Sequence, residues 1–236
     1  MMKNLVISTG AGISAESGMS TYRDAGGLWD KYPVMQVASA EGFAADPALI
    51  HRFYNGLRKK LVEQVEPNAA HYGLVELEKY FNVNVITQNV DDLHERAGSS
   101  HVLHLHGELM KVRSLRHPER VYTLPCDKLS DKGLETSVDT VDDHGDHVRP
   151  HIVFFGEDVP NFGPACELAQ QADVMVVIGT SLVVYPAAAL LQYAPSTAQV
   201  YYIDPKPVAV PSYVHVIAKK ATQGVPELID LLTARQ

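Results

Sequence analysis

Four short runs in this sequence carry side chains that do chemistry or hold a charged ligand. The first is Gly10-Ala11-Gly12-Ile13-Ser14-Ala15, directly after the apolar run Asn4–Thr9. It fits G-x-G-x-x-A after a strand, a dinucleotide-binding signature. Glycine at 10 allows a tight turn, and glycine at 12 lets the backbone approach a pyrophosphate, whose charge favours N–H donors. The same letters also serve as a plain turn. The polar, glycine-rich stretch continues through Glu16-Ser17-Gly18 and Thr21–Trp29, where an ordinary dehydrogenase places an amphipathic helix. A loop of that length is functional or mobile. Within it, Arg23 pairs with a phosphate or anchors Asp24.

The second run, Gln88-Asn89-Val90-Asp91, closes a β-branched stretch, Val83–Thr87. Strand carboxyl ends form the ligand crevice of open α/β sheets, and amide and carboxylate side chains there suit a carboxamide or a ribose. The same residues also cap a helix that starts near Asp91. Third come His101, His104 and His106, just ahead of Gly107-Glu108. A histidine titrating near pH 7 is the usual general base; a surface or structural role is the ordinary one for any single histidine, and metal ligation by the set has no supporting motif. Fourth, Gly179-Thr180-Ser181 follows the wholly apolar run Val174–Ile178, and Asp204 follows Val200–Ile203. The glycine turn suits phosphate or ribose contact. The aspartate accepts ribose hydroxyls and repels the extra phosphate of NADP, or simply makes a turn with Pro205.

Bringing these runs to one edge takes a sheet. Strands are expected at Asn4–Thr9, Val83–Thr87, Val102–Leu105, Val174–Ile178, Val200–Ile203 and Val214–Ile217, with a further extended apolar run at Ile152–Phe155. Asp46-Pro47 starts a helix that runs to about Gln64, with Ile50, Phe53, Tyr54, Leu57 and Leu61 at helical spacing. Further helices are expected from about Asn68 to Tyr80, at Pro164–Gln171 and at Val225–Ala234. Strands alternating with helices predict an α/β fold, a Rossmann-like parallel sheet with helices on both faces. Residues 113–148 are polar and irregular and predict a small inserted module. One catalytic domain over 1–236 then has its core in about 1–30, 82–112 and 150–236, and its small-module segments in about 31–81 and 113–149.

Composition narrows the class. The 236 residues are 46% hydrophobic and 20% charged, ordinary for a globular domain. The net charge of −8, with no basic run, argues against nucleic-acid binding. No apolar stretch reaches the ~20 residues needed to cross a bilayer, and the N-terminus lacks a signal-peptide pattern. Cys126 and Cys166 allow one disulfide at most and rule out a four-thiolate zinc site. A cytoplasmic protein without a membrane partner is expected; the sequence leaves the oligomeric state open and is compatible with a monomer.

Read in order, the motifs resemble the sirtuin family of NAD-dependent protein deacylases, most of all its bacterial class III members. The matching residues are Gly10 through Gly18, Tyr22-Arg23-Asp24, Gly26-Gly27-Leu28-Trp29, Thr87-Gln88-Asn89-Val90-Asp91 and Leu93-His94. They continue with Leu105-His106-Gly107-Glu108, Arg149-Pro150-His151, Phe155-Gly156-Glu157 and Gly179-Thr180-Ser181-Leu182, so the resemblance spans nearly the whole chain. It implies NAD across the strand ends and an acylated lysine of a protein or peptide entering from the other side. The acyl oxygen attacks the nicotinamide ribose as nicotinamide leaves, and free lysine and O-acyl-ADP-ribose result. In this scheme His106 is the general base, and Asn89 and Asp91 hold the nicotinamide end. Gln88 holds a ribose, and Gly10, Ala11, Gly12, Ser14, Ala15, Tyr22 and Arg23 order the cofactor. Trp29, Val90, Gly179, Thr180, Ser181, Asp204 and Ala221 complete the cofactor site. Val153, Phe155, Gly156, Glu157 and Val184 flank the substrate backbone, which adds as a strand between them. Tyr54 lines the acyl pocket. Protein ADP-ribosyl transfer and non-enzymatic NAD sensing are the alternatives; the intact His106 and Asn89 favour deacylation.

Three departures from that pattern matter. The family commonly has two Cys-x-x-Cys pairs holding zinc between its His-Gly and Arg-Pro motifs; here the interval holds only Cys126, with Ser114 at the first cysteine position. A metal-free insertion held by packing and hydrogen bonds is expected; a substitute site from His117, Cys126, His144 and His147 is the weaker alternative. Class III members that remove acidic acyl groups carry Tyr-x-x-Arg; Tyr54 matches, but Leu57 stands at the arginine position. Arg58 is one residue on, rotated by ~100° around the helix. Deacetylation, or removal of neutral longer acyls, is expected over desuccinylation, with Ala15 leaving the pocket roomy. Last, Tyr22 replaces the usual phenylalanine near the nicotinamide, which predicts tuning of the site without its loss.

Overall fold

A computed structural model of the chain describes residues 2–19, 32–182 and 185–234. Six parallel strands form its main sheet: β1 (Asn4–Thr9), β2 (Asn82–Thr87), β3 (Val102–His104), β7 (Val174–Ile178), β8 (Gln199–Ile203) and β9 (Val214–Ile217). They lie in the order β3-β2-β1-β7-β8-β9. The order reverses beside β1, so the crevice of the switch point opens between the ends of β1 and β7. Register makes the ends flush. Thr9 pairs with both Thr87 and Ile178, Thr87 with His104, and Ile178 with Ile203. Hydrogen bonds run on past the strands, from the N–H of Gly10 to Ile178 O, of Gln88 to Thr9 O, of Leu105 to Thr87 O and of Gly179 to Ile203 O.

Strands buried on both faces read as continuous apolar runs, which is why β1 and β7 were legible without alternation. On one face Leu5, Ile7, Val83, Val85, Val176 and Ile203 pack against helices α5 (Ala69–Leu77) and α8 (Ala221–Thr233). On the other, Val6, Ile86, Met175, Val177 and Tyr202 pack against α7 (Phe162–Gln170) and a 3-10 segment at Ala187–Tyr193. Both faces are covered by helices, as expected. Helix α8 starts at Ala221 rather than Val225: Gly224 and Pro226 are tolerated inside it, so they mark no start. The glycine run forms a four-residue helix, α1 (Ala11–Ser14), followed by a 3-10 turn at Ala15–Ser17.

Two short helices, α2 (Val34–Val37) and α3 (Ala40–Ala45), lead into α4 (Pro47–Gln64). Asp46 caps α4 by accepting from Leu49 N at 2.8 Å, and Pro47 occupies its first turn. Ile50, Phe53, Tyr54, Leu57 and Leu61 form the buried stripe, packed on Leu109, Ile152 and Phe154. One short helix, α6 (Leu93–Ala97), follows β2.

The insertion is not irregular throughout. β4 (Gly107–Ser114), β5 (Val121–Thr123) and β6 (Val148–Ile152) form a second, antiparallel sheet in the order β5-β4-β6. The extended segment is therefore Val148–Ile152, and the apolar run beyond it peels away. This sheet also takes in Gly107–Val112 and residues 150–152, which the sequence placed in the core segments. Pro150 hid β6; it is tolerated because β6 is an edge strand. Val112, Tyr122, Leu124, Leu129 and Val148 form the module's own core. Beside it, buried Asp142 is the hub of a polar knot. Its Oδ1 accepts from His144 N and Asp146 N, each at 3.0 Å, and its Oδ2 from the Tyr122 hydroxyl at 3.1 Å. Arg120 pairs with both Asp142 and Asp146. Burial works to raise the Asp142 pKa, but these donors and the Arg120 charge hold it below the ordinary carboxylate range.

Candidate functional site

The flush strand ends place three of the sequence runs around one crevice. At its floor Gly12 and Gly179 touch. A Cβ on Gly12 would lie 2.6 Å from Gly179 Cα, and Gly179 itself has φ +63°. Only glycine fits either position, and the space so kept lets main chain approach a flat or phosphorylated ligand. Asn68, the N-cap of α5, steadies the loop by donating to Ile13 O at 2.8 Å and Ser17 Oγ at 2.9 Å. Glu16 reaches the start of α8, accepting from Thr222 N at 3.2 Å, which brings buried Ala221 beside the glycine run.

The second run lines the opposite wall. Asn89 is buried; its Nδ2 donates to Gly10 O at 3.2 Å and to Ser14 Oγ at 3.1 Å, and its N–H to Thr87 Oγ1 at 3.0 Å. The two roles weighed for Asp91 coexist. Its Oδ1 accepts from Leu93 N at 3.3 Å near the start of α6, while the carboxyl stays buried beside Ser14. Burial pushes its pKa up to about 6, against the opposing pull of these donors and of His104. Gln88 Nε2 reaches Thr180 Oγ1 at 3.4 Å, closing the crevice across β1. Thr180 also caps Leu182 N at 3.3 Å, and Ser181 sits half-buried next to it. Asp204 lies at the end of β8, where one carboxylate oxygen accepts from Lys206 N at 2.8 Å. That is the turn role; the other oxygen is not engaged in it.

The three histidines separate. His101 is exposed. His106 Nδ1 donates to Gln88 O at 3.0 Å, and its own carbonyl accepts from Val153 N at 2.9 Å. A carbonyl only accepts, so the proton sits on Nδ1 and Nε2 keeps a free lone pair. Burial lowers its pKa despite that carbonyl, so the ring is neutral at pH 7. His104, two residues earlier, donates from Nδ1 to Asn89 O at 3.0 Å and from Nε2 to Glu95 at 2.7 Å. Among the described residues no group of three or more His, Cys, Asp or Glu side chains is placed to hold a metal ion.

The substrate side is more committed than the sequence suggested. Glu157 turns inward, pairing with Arg149 at 2.5 Å and Arg113 at 3.4 Å and accepting from Phe154 N at 2.9 Å. The Arg149 guanidinium in turn lies over Phe43 and Phe154, 5.0 and 4.0 Å from their ring centroids. Both main-chain groups of Phe155 bond to the 38–40 segment, at 2.8 and 3.0 Å. An added strand therefore finds neither the Glu157 carboxylate nor the Phe155 peptide groups open. Gly156 is exposed and makes no hydrogen bond among the described residues, and the carbonyls of Val153 and Glu157 accept none there either. The Phe155 ring is exposed, and Tyr54 is buried at 6.0 Å from Phe154. Leu57 is buried beside Tyr54. Arg58 is fully buried; its Nε donates to Leu109 O at 2.8 Å and its Nη1 to Asn55 Oδ1 at 2.6 Å, while Nη2 has no hydrogen-bond partner among the described residues. Tyr22, Arg23, Trp29 and Val184 lie outside the described residues.

Sequence reading missed one layer behind the crevice. Thr9 Oγ1 bonds His94 Nε2 at 3.0 Å, and the His94 ring meets His71 edge-on at 5.0 Å. Both rings are fully buried and kept neutral by burial, His71 with a pKa lowered to about 4. Leu93-His94 is marked only as part of the family resemblance, and a histidine in the first turn of a helix looks like a surface residue in a single sequence, so nothing points to His71 or to the buried pair.

Comparison with known proteins agrees with this geometry. The model of the Sir2 family matches residues 10–186. An NAD-dependent protein deacylase of Bacteroides thetaiotaomicron is 57% identical over 98% of both chains. One from Helicobacter pylori strain J99 is 50% identical, over 98% of this chain and 96% of its own. Among solved structures, a mutant Sir2 homologue bound to ADP-ribose superposes with a TM-score of 0.87 at 34% identity, over 99% of this chain and 93% of that one. A Sir2 homologue–NAD complex gives 0.84 at 34% identity, covering 99% and 91%.

Proposed function

The chain belongs to the Sir2 family, and from that premise we propose that it removes acetyl and other neutral acyl groups from lysine side chains of proteins. It is an NAD-dependent protein deacylase. The observation that carries the catalytic assignment is His106: a neutral ring, tautomer fixed by Gln88 O, with Nε2 open near Asn89 at the switch-point crevice. The glycine contact at 12 and 179 leaves the close backbone approach that NAD requires. Bound NAD supplies the ADP-ribosyl group that accepts the acyl chain as nicotinamide departs. The chain's own part is to position and to move one proton. Asn89 and Asp91 hold the carboxamide end, Gln88 and Asp204 offer ribose contacts, and His106 takes a hydroxyl proton on Nε2. The main chain at Gly156 takes up the substrate backbone.

Acyl choice follows from Leu57. The pocket wall at Tyr54 has an apolar neighbour where a carboxylate would need a guanidinium, and Arg58, one residue on, commits its Nε and Nη1 to Leu109 O and Asn55. A charge-assisted contact of that kind contributes about 1.5–3 kcal/mol. Turnover of acetyl-, butyryl- and succinyl-lysine peptides, with mass analysis of peptide and nucleotide, tests the reading. Acetyl or butyryl should lead, with O-acyl-ADP-ribose as product; dominant desuccinylation, or ADP-ribose on protein, overturns it. The insertion is metal-free in this reading. Ser114, at the expected ligand position, caps His117 N at 3.1 Å, and the Asp142 knot supplies the staple. The two free cysteines suit a reducing cytoplasm.

A further inference from the structure

The two histidines of His104-Leu105-His106 grip consecutive carbonyls of the crevice loop. His106 holds Gln88 O and His104 holds Asn89 O, each at 3.0 Å. What differs is the second nitrogen. His106 leaves it open, whereas His104 directs it at the Glu95 carboxylate, 2.7 Å away. A carbonyl and a carboxylate are both acceptors, so His104 satisfies both only with protons on both nitrogens, as an imidazolium. It is 93% shielded, being 7% exposed, and its own carbonyl is tied to α7's cap residue Asn161 at 2.7 Å. The ring is thus fixed between α6 and the loop that carries Asn89.

We propose that the His104–Glu95 ion pair is a charged clamp that positions Asn89, and hence the nicotinamide end of the cofactor, with His104 acting as a positioning residue for deacylation. The proposal rests on the assignment of Asn89 to that end. Of the groups facing His104, Glu95 and Asp92 come from α6 and its cap, Asp91 from the loop after β2 and Glu108 from β4. His94 of α6 is the basic neighbour, and it is neutral. Burial opposes the charge on His104, but Glu95, Asn89 O and Glu108 outweigh it and raise the pKa above its ordinary 6.5. The clamp therefore holds below that raised value and loosens as pH climbs through it. The two histidines then bound activity from opposite sides. His106 must be neutral, which sets the acid limb, and His104 must be charged, which sets the alkaline one.

Glu95→Gln tests it, since Glu95 is partly exposed and its replacement keeps the shape. The pH dependence of kcat/KM for NAD, nicotinamide exchange and KM for the acyl peptide are measured for wild type, Glu95→Gln and His106→Ala. In Glu95→Gln the alkaline limb should move to lower pH. At pH 7, kcat/KM for NAD should fall roughly tenfold, the loss of one charge-assisted bond, with KM for the peptide unchanged. Histidine nitrogen NMR should show His104 doubly protonated at pH 7 in wild type and titrating lower in Glu95→Gln. An unmoved alkaline limb, or a neutral His104 in wild type at pH 7, overturns the clamp. Activity that survives His106→Ala overturns the catalytic assignment instead, and the NMR result still judges the clamp.

Discussion

At the scale of single residues, the proposed function assigns the proton transfer to one ring and the choice of acyl group to one side chain. His106 donates its only proton to Gln88 O, so Nε2 has nothing to do but accept. His106→Ala should reduce deacylation by about 10²–10⁴-fold, the usual worth of a positioned base, while NAD still binds. Single-turnover assays with an acetyl-lysine peptide, alongside calorimetric NAD titration, check both halves. Loss of NAD binding with loss of rate would instead make the ring structural. Leu57 is the proposed selector. Leu57→Arg should raise succinyl-lysine turnover at least tenfold relative to acetyl, the value of a guanidinium–carboxylate contact. It will also lower stability, because Leu57 is packed among Phe53, Tyr54 and Leu61. If the succinyl-to-acetyl ratio does not move, the wall at Leu57 does not face the acyl chain.

At the scale of elements, most of what positions the site is legible in the sequence, and the exceptions have physical causes. β1, β7 and β8 stand out because buried parallel strands are apolar throughout, and α4 because Asp46-Pro47 marks its start and its stripe has helical spacing. The strand-end motifs are legible because a strand followed by Gly-x-Gly or Gln-Asn is short-range information. The second sheet is not. β4 mixes charged and apolar residues and β6 holds a proline, and both are fixed by pairing with each other at long range. The Asp142 knot is equally hidden, since Asp139-Thr140-Val141-Asp142-Asp143 looks like solvated loop. Four donors converge on that one carboxylate. Asp142→Asn turns an acceptor toward Arg120 and Tyr122 into a donor. It should cost about 1–3 kcal/mol, read as a lowered urea midpoint. Native mass spectrometry of the wild type should show no stoichiometric zinc. A variant as stable as wild type would mean the module is held by its apolar core alone.

At the scale of the whole molecule, the buried histidines make stability a function of pH. His51, His71 and His151 have pKa values lowered to about 4, His94 lies well below its ordinary value, and His106 lies below it. Burial is the main cause in all five, joined at His51 by the charge of Arg58 and at His151 by that of Arg113. The unfolded chain takes up these five protons as pH falls through 6.5, and the folded chain refuses them until lower. Their contribution is complete above 6.5 and drains away as pH falls toward 4. Asp91, held protonated up to about 6, and Asp92, also raised by burial, run the other way and favour the fold on acidification, but they are two groups against five. His104 adds nothing in this window, because its raised pKa acts above 6.5. Each uncompensated proton contributes about 1.4 kcal/mol per pH unit, so the fold should lose ~2–3 kcal/mol per unit between pH 6 and 5. Urea unfolding at pH 7.5, 6.0 and 5.0 measures it. The midpoint should drop steeply across the last interval; a flat midpoint would mean these rings are protonated inside the fold and paired with acceptors.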